Sequence, residues 1–77
     1  MATTFKKLDV RPLIAKGTEP FAAIRRKIDM LKMHEGLTVV APFLPSPLIE
    51  KLRSEGFRSS VIRQSGGTWA VNFWRDD

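Results

Sequence analysis

Residues 8–20 read Leu8-Asp-Val-Arg-Pro-Leu-Ile-Ala-Lys-Gly-Thr-Glu-Pro20, and this stretch decides how the chain is laid out. At its front, Phe5, Leu8 and Val10, with Lys7 and Asp9 interleaved, give the alternation of a short strand with one buried face. Arg11 to Gly17 carries no sustained period and reads as a loop. Thr18 stands where an N-cap belongs, with Glu19 and Pro20 in the first turn, where an acid and a proline suit a helix start. Phe21, Ile24, Ile28 and Leu31 then recur at helical spacing, so one apolar stripe of that helix is expected to be buried. The helix is expected to end before Gly36.

Working outward, Leu37-Thr-Val-Val-Ala41 is an apolar, β-branched run of the kind found in strands covered by helices. Pro42-Phe-Leu-Pro-Ser-Pro47 cannot continue either element, because three of its residues are prolines. Ser46 is expected to cap a second helix, with Pro47 in first position, Leu48, Ile49 and Leu52 on the apolar face and Gly56 as terminator. Phe57 to Gln64 reads as a third strand. Ser65-Gly-Gly-Thr68 is a tight turn, and Trp69 to Arg75 is the returning strand of a hairpin. The expected fold is α+β. The order β-α-β-α-β-β forms a two-layer sandwich, with a mixed four-stranded sheet and two helices on one face.

A chain of 77 residues is one domain, here 1–77, and one small enough to be marginally stable. Apolar residues make up 43% and charged residues 27%, an ordinary globular composition, and no apolar run is long enough to span a bilayer. The first residues carry charges among short apolar pieces, so no secretory leader is expected and a cytoplasmic location is the default. The net charge of +5 lies in residues 1–34, while residues 35–77 are balanced. A basic half of this size suits acidic partners, or weak nucleic-acid binding. Cysteine is absent, which excludes disulfides, thiolate metal sites and thiol nucleophiles.

Taken together, Leu8-Asp-Val-Arg-Pro-Leu13, Gly17-Thr-Glu-Pro-Phe21, Gly36, Val40-Ala-Pro-Phe43, Pro47-Leu48, Gly56-Phe57, Trp69 and Phe73-Trp-Arg75 resemble the TusA-like (SirA-like) sulfur carriers. The closer likeness is to an uncharacterised bacterial family of small domains related to TusA. In TusA itself the loop after the first strand ends in Cys-Pro-x-Pro. Aligned on Pro20, this chain has Gly17 at the cysteine and Thr18 at the first proline, in a loop about two residues longer. The resemblance thus implies the scaffold without persulfide transfer. The related family is associated with iron, redox and haemerythrin-like modules, which implies a partner in that kind of metabolism.

In parallel β/α units ligands lie beyond the carboxyl ends of the strands. At that edge the loops Arg11–Thr18 and Pro42–Ser46 meet and both helices begin, with N–H groups suited to an anion. The candidate binding residues are Arg11, Lys16, Gly17, Thr18, Phe43 and Ser46. They suit a small carboxylate, a phosphate or an acidic peptide, with Phe43 and Leu44 as apolar cover. Simpler roles exist for each: Asp9 and Arg11 as a local pair, Lys16 as a solvated charge, Gly17 as a turn residue, Phe43 as core.

His34 has only Glu35 beside it and reads as a loop histidine, not a metal ligand. Arg25, Arg26 and Lys27 diverge around a helix, and Arg25 has Asp29 one turn away. On the last strand, Trp69, Val71 and Phe73 share one face and Ala70, Asn72 and Trp74 the other. One set must line the core. An open aromatic near Arg58, Arg63 or Arg75 would suit base stacking. No nucleophile–base arrangement, cofactor motif or paired carboxylate is present, so no enzyme is expected and no cofactor is assigned. The expectation is a binding or adaptor domain for a protein partner or small anion, with a weak nucleic-acid binder as the alternative.

Overall fold

The computed structural model describes residues 3–75, so the outermost two positions at each end of the expected domain lie outside the described residues. The elements are β1 (Thr4–Asp9), α1 (Arg11–Ala15), α2 (Phe21–Asp29), β2 (Glu35–Ala41), α3 (Ser46–Ser54), β3 (Arg58–Arg63) and β4 (Trp69–Trp74). The strands form one mixed sheet in the order β1-β2-β4-β3. β1 runs parallel to β2, with Leu8 beside Val39. β4 is antiparallel to β2 and β3, so that Val71 lies between Val39 and Val61. The α+β two-layer arrangement is as expected.

The pleat settles which aromatic set faces inward. Leu37, Val39, Val71 and Phe73 are fully buried beneath Ile24 and Ile28 of α2 and Leu48 and Leu52 of α3. Burial of each such side chain stabilises the fold by roughly 1.5–3 kcal/mol. Ala70, Asn72 and Trp74 point to the face the helices leave open. There the Phe5 ring meets Trp74 edge-on, centroids 6.1 Å apart. Phe5 also lies over Gly36: a Cβ at residue 36 would fall 2.5 Å from its ring and 2.6 Å from the Phe73 carbonyl oxygen. Glycine is required there because the aromatic ring occupies the side-chain space. Thr38 donates to the Asn72 side chain at 2.6 Å, which satisfies the polar centre of this face.

Four expectations about local structure are corrected. The Arg11–Gly17 segment is not all loop, because it contains α1. Pro12 sits in its first turn, and the N–H groups of Gly17 and Thr18 return to Ile14 and Leu13 at 3.0 and 2.9 Å. That is a Schellman closure, so Gly17 and Thr18 end one helix and Thr18 does not cap the next. The α2 start is capped instead by Glu19, whose carboxylate accepts from the N–H groups of Phe21 and Ala22 at 2.5 and 3.3 Å. α2 also stops at Asp29, and Leu31 packs on the core from the connection that follows.

α3 begins one residue earlier than expected, with Ser46 as its first residue and Pro45 in the cap position. It closes with the same motif as α1: the N–H groups of Gly56 and Phe57 return to Arg53 and Leu52, both at 3.0 Å. Arg25 ties the two longer helices together. Its guanidinium reaches Glu55 at 2.6 and 2.7 Å and Asp29 at 3.1 Å.

Candidate functional site

Where β1 and β2 end, the three helix starts stand around a cleft of about 380 Å³. Its floor is Val10, just past β1, with Val39 and Ala41 of β2, all buried. Ile14, Phe21 and Ile24 form one wall, Pro47 and Leu48 the other, and Phe43 and Pro45 close the rim. The sequence builds this shape directly. Prolines at 42 and 45 keep the chain from filling the gap with a regular element, and Phe43 is left half exposed. The cleft is almost wholly apolar and of a size that accepts a few side chains or a small molecule.

Glu19 and Lys51 are its only charged lining residues among those described, and their states differ. Glu19 is engaged in capping α2. The Lys51 ammonium makes no ion pair among the described residues. The cleft therefore offers an apolar interior flanked by one ammonium free of any ion pair among the described residues and by the capping carboxylate of Glu19.

The helix starts themselves offer an anion little. At α1 the Arg11 N–H donates to Asp9 at 3.0 Å. At α2 the first donors go to Glu19. At α3 Pro45 and Pro47 have no N–H, and that of Ser46 goes to Leu44 at 2.9 Å. Helix N-termini bind anions through free N–H groups, and here those of Arg11, Phe21, Ala22 and Ser46 are met by the chain's own carboxylates and carbonyls, while Pro12, Pro45 and Pro47 have none.

The six residues singled out in the sequence separate in space. Phe43 lines the cleft. Arg11 lies beside it, clamped to Asp9 by contacts of 2.6, 2.9 and 3.1 Å. That pairing holds the Asp9 carboxyl down at about 2, from an ordinary value of 3.8, with the Arg11 side-chain bond as the largest cause. Lys16, Gly17 and Thr18 are exposed in the turn closing α1, and Ser46 is exposed at the start of α3, none of them lining the cleft. Gly17 has φ 76°, a conformation in which a cysteine side chain would be strained. Sequence reasoning missed Ile14, Phe21, Ile24 and Lys51 as site residues. The first three look like ordinary core positions, and Lys51 becomes notable only once α3 turns it toward the cleft.

The other candidates resolve as follows. His34 is exposed, with φ 66°, and its carbonyl accepts from the Thr4 N–H at 2.9 Å. Among the described residues no cluster of His, Cys, Asp or Glu is placed to hold a metal ion, and no helix is long and apolar enough to cross a membrane. Arg63 lies over Trp69 at 5.6 Å and Arg75 over Phe57 at 4.9 Å, both away from Trp74. Of the three arginines, Arg58 is the one set opposite the open-face tryptophan in the β3–β4 register.

With that geometry in view, one family profile, described as Uncharacterized conserved protein (DUF2249), matches residues 7–75, and the chain belongs to that family. No curated protein matches the chain, and no solved structure does.

Proposed function

We propose that this DUF2249 domain is a non-enzymatic binding or adaptor module of the TusA-like kind, bacterial and cytoplasmic, that works without sulfur transfer. Its partner offers an acidic, apolar segment to the cleft at the carboxyl ends of β1 and β2. The observation that carries the reading is the apolar cleft with the unpaired Lys51 on its rim and Phe43 standing half exposed beside it. An apolar side chain entering the cleft buries surface worth about 25 cal/mol per Å². A neighbouring carboxylate then meets Lys51, and the net +5 charge of the chain favours the encounter with an acidic partner. A free small anion is supported less well, because Arg11 and the helix-start donors are already engaged.

The test is a chemical-shift titration with short peptides that pair leucine or phenylalanine with glutamate, set beside inorganic phosphate. Shifts centred on Ile24, Phe43, Leu48 and Lys51 are expected with the peptides, and Lys51→Glu should weaken binding by roughly tenfold through charge reversal at the rim. Phosphate shifts centred on Arg11, Lys16 and Thr18, without a peptide response at the cleft, would overturn the reading. The nucleic-acid alternative finds its best support in the basic first half alone. It requires binding to oligonucleotides that falls steeply with salt.

A further inference from the structure

The six residues of β3, Arg58-Ser-Ser-Val-Ile-Arg63, are all exposed, and β4 is the strand's only partner among the described residues. The hydrogen-bond parity of this edge can be read off the hairpin. The Gln64 N–H donates to the Thr68 carbonyl at 2.8 Å, and β3 then runs in unbroken register with β4 from Arg63 beside Trp69 to Arg58 beside Trp74. In an antiparallel ladder the N–H and C=O of one residue point the same way, and the direction alternates along the strand. Ile62, Ser60 and Arg58 therefore turn their backbone groups toward β4. Ser59, Val61 and Arg63 turn theirs outward, where no backbone group among the described residues meets them.

We infer that this edge is the contact through which two copies of the chain pair, β3 against β3 about a two-fold axis at Val61, joining their sheets into one of eight strands. Parity selects the register. Outward groups must face outward groups, so odd-numbered residues pair with odd-numbered ones. The register centred on Val61 uses every outward group of the strand: Ser59 opposite Arg63 of the second copy, Val61 opposite Val61, Arg63 opposite Ser59. The same rule forbids the one-residue slip that would set Arg58 against Arg63 of the second copy. In the allowed register Arg58 meets Gln64 and Ile62 meets Ser60, so no two like charges are directly opposed.

Three observations favour a second copy as the occupant. Val61 and Ile62 are 45% and 48% exposed, apolar β-branched residues on both faces of one edge strand. The strand interior, Ser59 to Ile62, holds none of the prolines or charges that normally guard an edge. Arg63, the charge nearest the axis, is drawn back over the Trp69 ring of its own chain. The surface is independent of the cleft and does not rest on the function proposed for it.

The experiment is sedimentation velocity across a concentration series, with amide hydrogen exchange at both ends of the series. A weak dimer is expected, because a short edge buries less than a standard interface. At high concentration the amides of Ser59, Val61 and Arg63 gain protection, while those of Ser60 and Ile62, already bonded to β4, do not change. Val61→Lys, which sets two ammonium groups opposite each other at the axis, should weaken the dimer by roughly tenfold or more. Circular dichroism and the thermal midpoint confirm that the variant is folded. A chain that stays monomeric at millimolar concentration overturns the inference. So does a dimer that survives Val61→Lys in the folded variant, or added protection that falls on β1.

Discussion

The two edges of the sheet are built to opposite specifications. β1 and β3 have the same length, and each is exposed over most of it. By the alternation that starts with the Thr4 N–H bonded to His34, β1 turns the backbone of Phe5, Lys7 and Asp9 outward. The middle outward residue of β1 is thus a lysine, whereas that of β3 is a valine. β1 is held further by Phe5 against Trp74, by Lys6 and Glu35 at 3.7 Å and by Asp9 with Arg11. β3 has Arg63 over the Trp69 ring at one end, while among the described residues Ser59 to Ile62 make no side-chain hydrogen bond. The difference teaches that guarding an edge depends on the residue at its outward centre, since Lys7 and Val61 are both exposed and only the lysine opposes strand addition.

The strongest blow to the guarded side is Gly36→Val. The new side chain meets the Phe5 ring and the Phe73 carbonyl, and the carbonyl belongs to a buried backbone that cannot move aside. A loss of about 2–3 kcal/mol in urea unfolding is expected, in the range of overpacked sites. Phe5→Ala should cost less, about 1–1.5 kcal/mol, as it removes the aromatic pair and uncovers Gly36. Lys7→Val should change monomer stability by less than about 0.5 kcal/mol, as surface changes do, yet it gives β1 the outward centre of β3. Increased self-association by sedimentation is the expected result, and an unchanged profile would break the comparison.

The smallest effect is confined to acid. The folded Asp9 pKa of about 2 lies below the ordinary 3.8, so its pairing stabilises the protein fully above about pH 4 and the contribution is lost as pH falls toward 2. Asp9→Asn should flatten that part of the stability profile and leave the neutral range nearly unchanged, as followed by urea midpoints from pH 2 to 7.

Much of the fold was legible. The stripe Phe21, Ile24, Ile28 placed α2, the β-branched run Leu37–Ala41 placed β2, and Ser65-Gly-Gly-Thr68 placed the hairpin. α1 was not, because five residues are too few to show a helical period. Its signature was present all the same, a proline in the first turn and a glycine just past the end. Thr18 misled because a capping residue reads alike whether it follows one helix or precedes another. The position of the cleft was legible from the order of elements, but its apolar lining was not. Arg11 and the helix-start N–H groups promised an anion site, and only their distances to Asp9 and Glu19 reveal that they are engaged.

By itself the sequence determined what is local and periodic: the alternation that gives each strand two faces, the helix faces, the hairpin, and the exclusion of thiol chemistry by the lack of cysteine. Tertiary structure alone decided which strand face lies under the helices, which charges cancel and which one, Lys51, stands at a cleft free of any ion pair among the described residues. It also decided which backbone groups of β3 face outward. These depend on distances between segments far apart in the chain, and hydrogen bonds and ion pairs act over only a few ångströms, so no pattern read along the sequence contains them.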